Sequence, residues 1–101
     1  MAFAIIWSKQ ALDDLRGIVA FIARDNPDVA AQFGYRLISK VDLLSEFPAM
    51  GRVVPEQKCT DLRELIFRPY RVIYEVREKE NAVAVVRIWH GARGNRQLHQ
   101  T

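Results

Sequence analysis

Apolar residues along this chain repeat first at the spacing of helices and then at the spacing of strands. Ala2–Trp7 is short, rich in strand formers, and reads as a first β-strand. Ser8 is placed to cap a helix. From Lys9 to about Arg24 the residues Ala11, Leu12, Leu15, Ile18, Val19 and Ile22 fall on one helical face, with Asp13, Asp14 and Arg16 outside it. Asp25–Asn26–Pro27 closes this helix and opens another, Pro27 standing where a missing N–H costs nothing. The second helix runs to about Glu46 on a stripe of Ala30, Phe33, Leu37, Val41 and Leu44. So short a connection makes the pair an antiparallel hairpin.

Phe47–Arg52 breaks the helical period, and a loop continues to about Asp61. Three strands come after it: Leu62–Phe67, Tyr70–Arg77 and Ala82–Trp89, separated by Pro69 and by the polar turn Glu78–Asn81. Connections this short make an antiparallel meander. The two apolar helix stripes need a surface to cover, and the sheet supplies it. The expected fold is α+β, in the order β-α-α-β-β-β, with a helical hairpin on one face of a small, mostly antiparallel sheet. Residues 1–101 are expected to form a single domain.

Composition narrows the classes. A hydrophobic fraction of 50% and a charged fraction of 27% belong to a folded protein rather than a disordered one. A net charge of +3 suits nucleic acid and an acidic protein partner equally. Cys59 is the only cysteine, so no internal disulfide forms and a reducing, cytoplasmic setting is expected. The apolar start, Met1–Trp7, is too short for a membrane span. No CxxC or HxxxH spacing implies a metal, and no glycine-rich loop joins a strand to a helix, so no cofactor is expected.

The candidate chemistry lies on the late strands. If Arg77 pairs with Ala82 across the turn, Arg71 sits opposite Ile88 and His90 is next on the same side. Arg63 on the neighbouring strand would join them. A slip of one residue would instead bring Arg87 beside Arg71. Arginine offers a planar fork of donors to phosphate or carboxylate, and histidine can exchange a proton with a reacting hydroxyl. Such a set could support RNA cleavage by 2′-hydroxyl attack. The alternative reading is structural. Arg63 would pair with Glu64, Glu75 or Asp61, Arg71 would snorkel at the sheet edge, and His90 would end a strand.

The ordered elements Trp7–Ser8, Asp14–Leu15, Asn26–Pro27, Phe47–Pro48, Gly51–Arg52, Leu62–Arg63–Glu64–Leu65, Tyr70–Val76 and His90–Gly91–Ala92–Arg93 span nearly the whole chain. With them the chain resembles the RelE/ParE superfamily of type II toxin–antitoxin toxins, the plasmid-stabilisation proteins. The resemblance implies the same β-α-α-β-β-β fold, a growth-inhibiting toxin, and a cognate antitoxin that wraps it. It also implies one of two targets. RelE-like members are endoribonucleases that cut ribosome-bound mRNA, and there Arg71 and His90 would be catalytic. ParE-like members inhibit DNA gyrase and are not enzymes of RNA. Lys58 alone stands where the RelE branch carries a lysine cluster, and the Phe-Pro-x-x-Gly-Arg, Leu-Arg-Glu-Leu and His-Gly-Ala-Arg stretches are closer to ParE sequences. The leading expectation is therefore a ParE-like gyrase inhibitor, with Arg63, Arg71, His90 and Arg93 contacting target or antitoxin. A toxin-derived binding protein without toxicity is the further alternative.

Overall fold

The computed structural model describes residues 2–54 and 62–91. Cys59, Lys58, Asp61 and Arg93 lie outside these. Strand β1 (Ala4–Trp7) leads into helix α1 (Lys9–Ala23), helix α2 (Pro27–Asp42) and a short 3₁₀ turn at Leu43–Ser45. Strands β2 (Arg52–Val53), β3 (Leu62–Phe67), β4 (Tyr70–Arg77) and β5 (Ala82–His90) complete the order. The sheet order is β1-β5-β4-β3-β2, with β1 parallel to β5 and every other pair antiparallel. This is the expected α+β arrangement with one addition. The two residues of β2, too few to show a period, pair with β3 inside the stretch read as loop.

Both helix starts form as their sequences dictate. The Ala11 N–H donates to Ser8 Oγ at 3.0 Å, and Asn26 Oδ1 accepts from Asp28 and Val29 N–H at 3.1 Å each, with Pro27 in the first turn. The apolar stripes meet one face of the sheet. Ala11, Leu15, Leu37, Val41 and Leu44 pack with Leu65, Val72, Tyr74, Val83, Val85 and Ile88 into the main core. The other face carries a smaller cluster of Val54, Ile73 and Trp89, flanked by Leu62 and Val86. Among the described residues no helix is long and apolar enough to cross a membrane.

The β4–β5 pairing begins as expected, with Arg77 opposite Ala82, and holds through Tyr74 opposite Val85. It then slips. Val86 is passed over in the register, and beyond it Ile73 faces Arg87, Val72 faces Ile88, Arg71 faces Trp89 and Tyr70 faces His90. The cause lies at the start of α1, where Ser8 N–H donates to the Val85 carbonyl at 3.0 Å and Ser8 Oγ to the Val86 carbonyl at 2.9 Å. The unpaired Val86 makes this a β-bulge, which inverts the side-chain alternation beyond it. Asp14 then holds the shifted segment. Its carboxylate accepts from the Ile88 N–H at 2.9 Å and from Arg87 at 2.8 and 3.2 Å.

Candidate functional site

The bulge corrects the expected grouping. Arg71 shares the open face of the sheet with Ile66 and Trp89, whereas His90 shares the helix-bearing face with Tyr70, their rings edge to face at 5.5 Å. One surface therefore does not carry both side chains. Both nevertheless line one cleft at the end of the strand pair. Arg63 is also not beside Arg71, because alternation along β3 turns it to the face of Tyr74. Its guanidinium donates to the Gly51 carbonyl at 2.7 Å, and the Tyr74 hydroxyl accepts from Gly51 N–H and donates to the Pro48 carbonyl, both at 2.8 Å. Together they pin the 48–51 turn. Gly51 is required there, since a Cβ would lie 2.5 Å from the Glu64 carbonyl and 2.6 Å from the Tyr74 hydroxyl. Burial pushes the Tyr74 pKa upward, against the smaller opposing effects of the Gly51 N–H and the Arg63 charge.

Arg71 does not snorkel. Its side chain is 7% exposed, and Nη1 sits 2.6 Å from Oε1 of Glu64, whose own side chain is fully buried. The other Glu64 oxygen takes the Nε of Arg52, a largely exposed arginine from β2. One buried carboxylate thus joins two arginines, leaving this part of the open face with a net positive charge. Such a carboxylate is tolerated only because both cations are in place. Arg71 Nε and Nη2, Trp89 Nε1 and Glu64 Oε1 are buried without a hydrogen-bond partner among the described residues, so the contact of Glu64 Oε1 with Arg71 is an ion pair and not an aligned hydrogen bond.

A cleft of about 530 Å³ opens at this point, lined by Arg52, Ile66, Arg68, Tyr70, Arg71 and His90 among others. Among the described residues, three arginines and no carboxylate line it. Arg68–Pro69, a cis peptide in the turn between β3 and β4, forms one wall. Two arrangements join distant parts of the sequence. The Glu64 bridge draws its partners from other strands, and the Arg87–Asp14 pair joins residues 73 positions apart.

A helical hairpin covers one face of a five-stranded sheet, with a cationic cleft at the strand ends. Comparison with known proteins places this architecture. A family model described as the ParE toxin of the type II toxin–antitoxin system parDE matches residues 5–94. Toxin RelE2 of Caulobacter vibrioides is 36% identical over 90 residues, covering 88% of this chain and 96% of that protein, and Toxin RelE1 of the same organism is 30% identical over 91 residues, covering 90% and 96%. The chain belongs to the RelE/ParE superfamily of type II toxin–antitoxin toxins. Among solved structures, the chromosomal ParDE system of P. aeruginosa superposes with a TM-score of 0.71 at 18% identity, covering 88% of this chain and 96% of that one. The intact E. coli RelBE complex gives 0.57 at 18% identity, covering 88% and 96%. At such identities the likeness is one of fold.

Proposed function

We propose that this toxin acts on a protein target, as a ParE-like inhibitor of DNA gyrase, and that a cognate antitoxin silences it. The observation that carries the reading is the commitment of Arg71 to Glu64. A nuclease built on Arg71 and His90 needs a guanidinium free to meet a phosphorane and an imidazole beside it. Here the guanidinium is recessed against an internal carboxylate, and the bulge turns His90 to the other side of the sheet. The match of residues 5–94 to the ParE family model supports the same branch. The names of the relatives, RelE2 and RelE1, favour neither target by themselves.

The antitoxin has a surface to cover. Phe21 and Tyr35 on the helical hairpin are 63% and 75% exposed, with Val29, Ile38 and Leu43 also open. An amphipathic or disordered segment that folds on binding fits such a surface. The relevant solved structures come from a ParDE system and a RelBE complex, in which toxins of this fold occur with antitoxins. Expressed without a partner, the protein is expected to arrest growth with DNA synthesis failing before translation. Thymidine and leucine incorporation measured after induction test this; leucine incorporation failing first would favour the mRNA-cutting reading.

A further inference from the structure

The two edges of the sheet are guarded unequally. At one edge β2 has only two residues, and one of them is Arg52. Shortness and charge both deter pairing with another chain. At the other edge β1 is Ala4–Ile5–Ile6–Trp7, without charge or proline, and its one neighbour among the described residues is β5. The N–H groups of Ala4 and Ser8 donate to the carbonyls of Asn81 and Val85. By alternation along the strand, the backbone groups of Ala4 and Ile6 point at β5, and those of Phe3, Ile5 and Trp7 point away from it. Phe3 is satisfied there, its N–H donating to the Ser45 carbonyl and its carbonyl accepting from Ser45 Oγ, both at 2.8 Å. Ile5 and Trp7 keep two donors and two acceptors on the open edge, with no described strand beside them.

We propose that this edge pairs with the same edge of a second copy of the chain, antiparallel about a two-fold axis at Ile6. In that register Ile5 of each copy faces Trp7 of the other, and the two exchange both hydrogen bonds, so the open backbone groups of both copies are met. Sliding by two residues either way would call on Phe3, already bonded to Ser45, or on Lys9, already in α1. The Ile6 side chains, 47% exposed in one copy, meet on the axis. The ends are matched in charge as well. Beside Phe3 a groove of about 410 Å³ runs between β1 and the 42–46 turn, lined by Asp42, Leu43 and Glu46 among others. Lys9 of the second copy arrives opposite Phe3, and so at these two carboxylates. Within one copy Lys9 pairs with Asp13 at 3.1 Å on the open surface, a contact too weak to hold it in place. Backbone pairing alone would suit any strand; a lysine delivered to Asp42 and Glu46 is what selects a second copy. The edge thus complements itself, as an isologous interface requires.

Sedimentation equilibrium of the isolated toxin from roughly 1 to 100 μM, with amide exchange followed by NMR, tests this. A monomer–dimer equilibrium is expected. Exchange at the Ile5 and Trp7 amides should slow as concentration rises, while the Ala4 and Ile6 amides, bonded to β5, stay as they are. Ile6→Lys sets two like charges on the axis and should weaken the dimer about tenfold or more. Lys9→Glu should weaken it about tenfold, and adding Asp42→Lys and Glu46→Lys to that variant should restore it. Arg16→Glu, the same charge change elsewhere on α1, should leave it unaltered. All five positions are exposed, so these variants keep the fold. A toxin that stays monomeric throughout, a dimer indifferent to Ile6→Lys, or a charge swap that restores nothing would overturn the pairing. So would exchange at Ile5 and Trp7 that slows only when antitoxin is added.

Discussion

The two faces of the sheet solve different problems. On the helix side, Leu37, Val41, Leu44 and Val85 are fully buried among other aliphatics, and the polar groups there close on backbone, as Arg63 and Tyr74 do on the 48–51 turn. The open side has a smaller apolar cluster and holds a carboxylate, a guanidinium and an indole out of water, with three nitrogens and one carboxylate oxygen lacking hydrogen-bond partners among the described residues. Folding alone accounts for the first face. The second retains unmet hydrogen-bonding capacity, so it is the less self-sufficient of the two.

The largest effect should come from removing the shared carboxylate. Glu64→Ala leaves Arg71 buried and uncompensated and should cost about 3–5 kcal/mol in chemical denaturation. Replacing both members together, as Glu64→Leu with Arg71→Met, should recover most of that loss, because an apolar pair of similar volume needs no compensation. A double variant as unstable as the single one would show that Glu64 serves packing and not charge. On the opposite face Leu37→Ala should cost about 2–5 kcal/mol through the cavity it leaves. Its remaining folded fraction should act on the target at full strength.

Tyr74→Phe should cost about 1–3 kcal/mol at neutral pH, since the buried Gly51 N–H loses its acceptor. The pH dependence has a definite sign. Folding raises the Tyr74 pKa above 10.0, so above that pH the unfolded chain ionises there while the folded chain does not. Stability is therefore lost as pH climbs past 10.0, and the gap between wild type and Tyr74→Phe should narrow over the same interval in denaturation curves. A gap independent of pH would mean that the hydroxyl is not buried as described.

Much of the fold is legible in the sequence because it is local. Ser8, Asn26–Pro27 and the apolar stripes specify the hairpin within a few residues of themselves. The Glu78–Asn81 turn fixes the first half of the β4–β5 register, with Asn81 in the left-handed conformation at φ 50°. The bulge is not legible, because Ser8 bonds a carbonyl 78 positions away and nothing near Val86 announces it. Strand alternation does contain one signal for the candidate site. Arg63 and Glu64 are adjacent in a strand and point to opposite faces, which excludes the pairing expected between them. Glu64 then needs a cation from a neighbouring strand, and Arg71 is the interior arginine that supplies it.

The most direct measurement is a supercoiling assay with purified DNA gyrase and the full-length toxin. Inhibition at micromolar toxin, relieved by the antitoxin, is the predicted result. Supercoiling that proceeds unhindered, while the same preparation cuts mRNA on ribosomes, would contradict it.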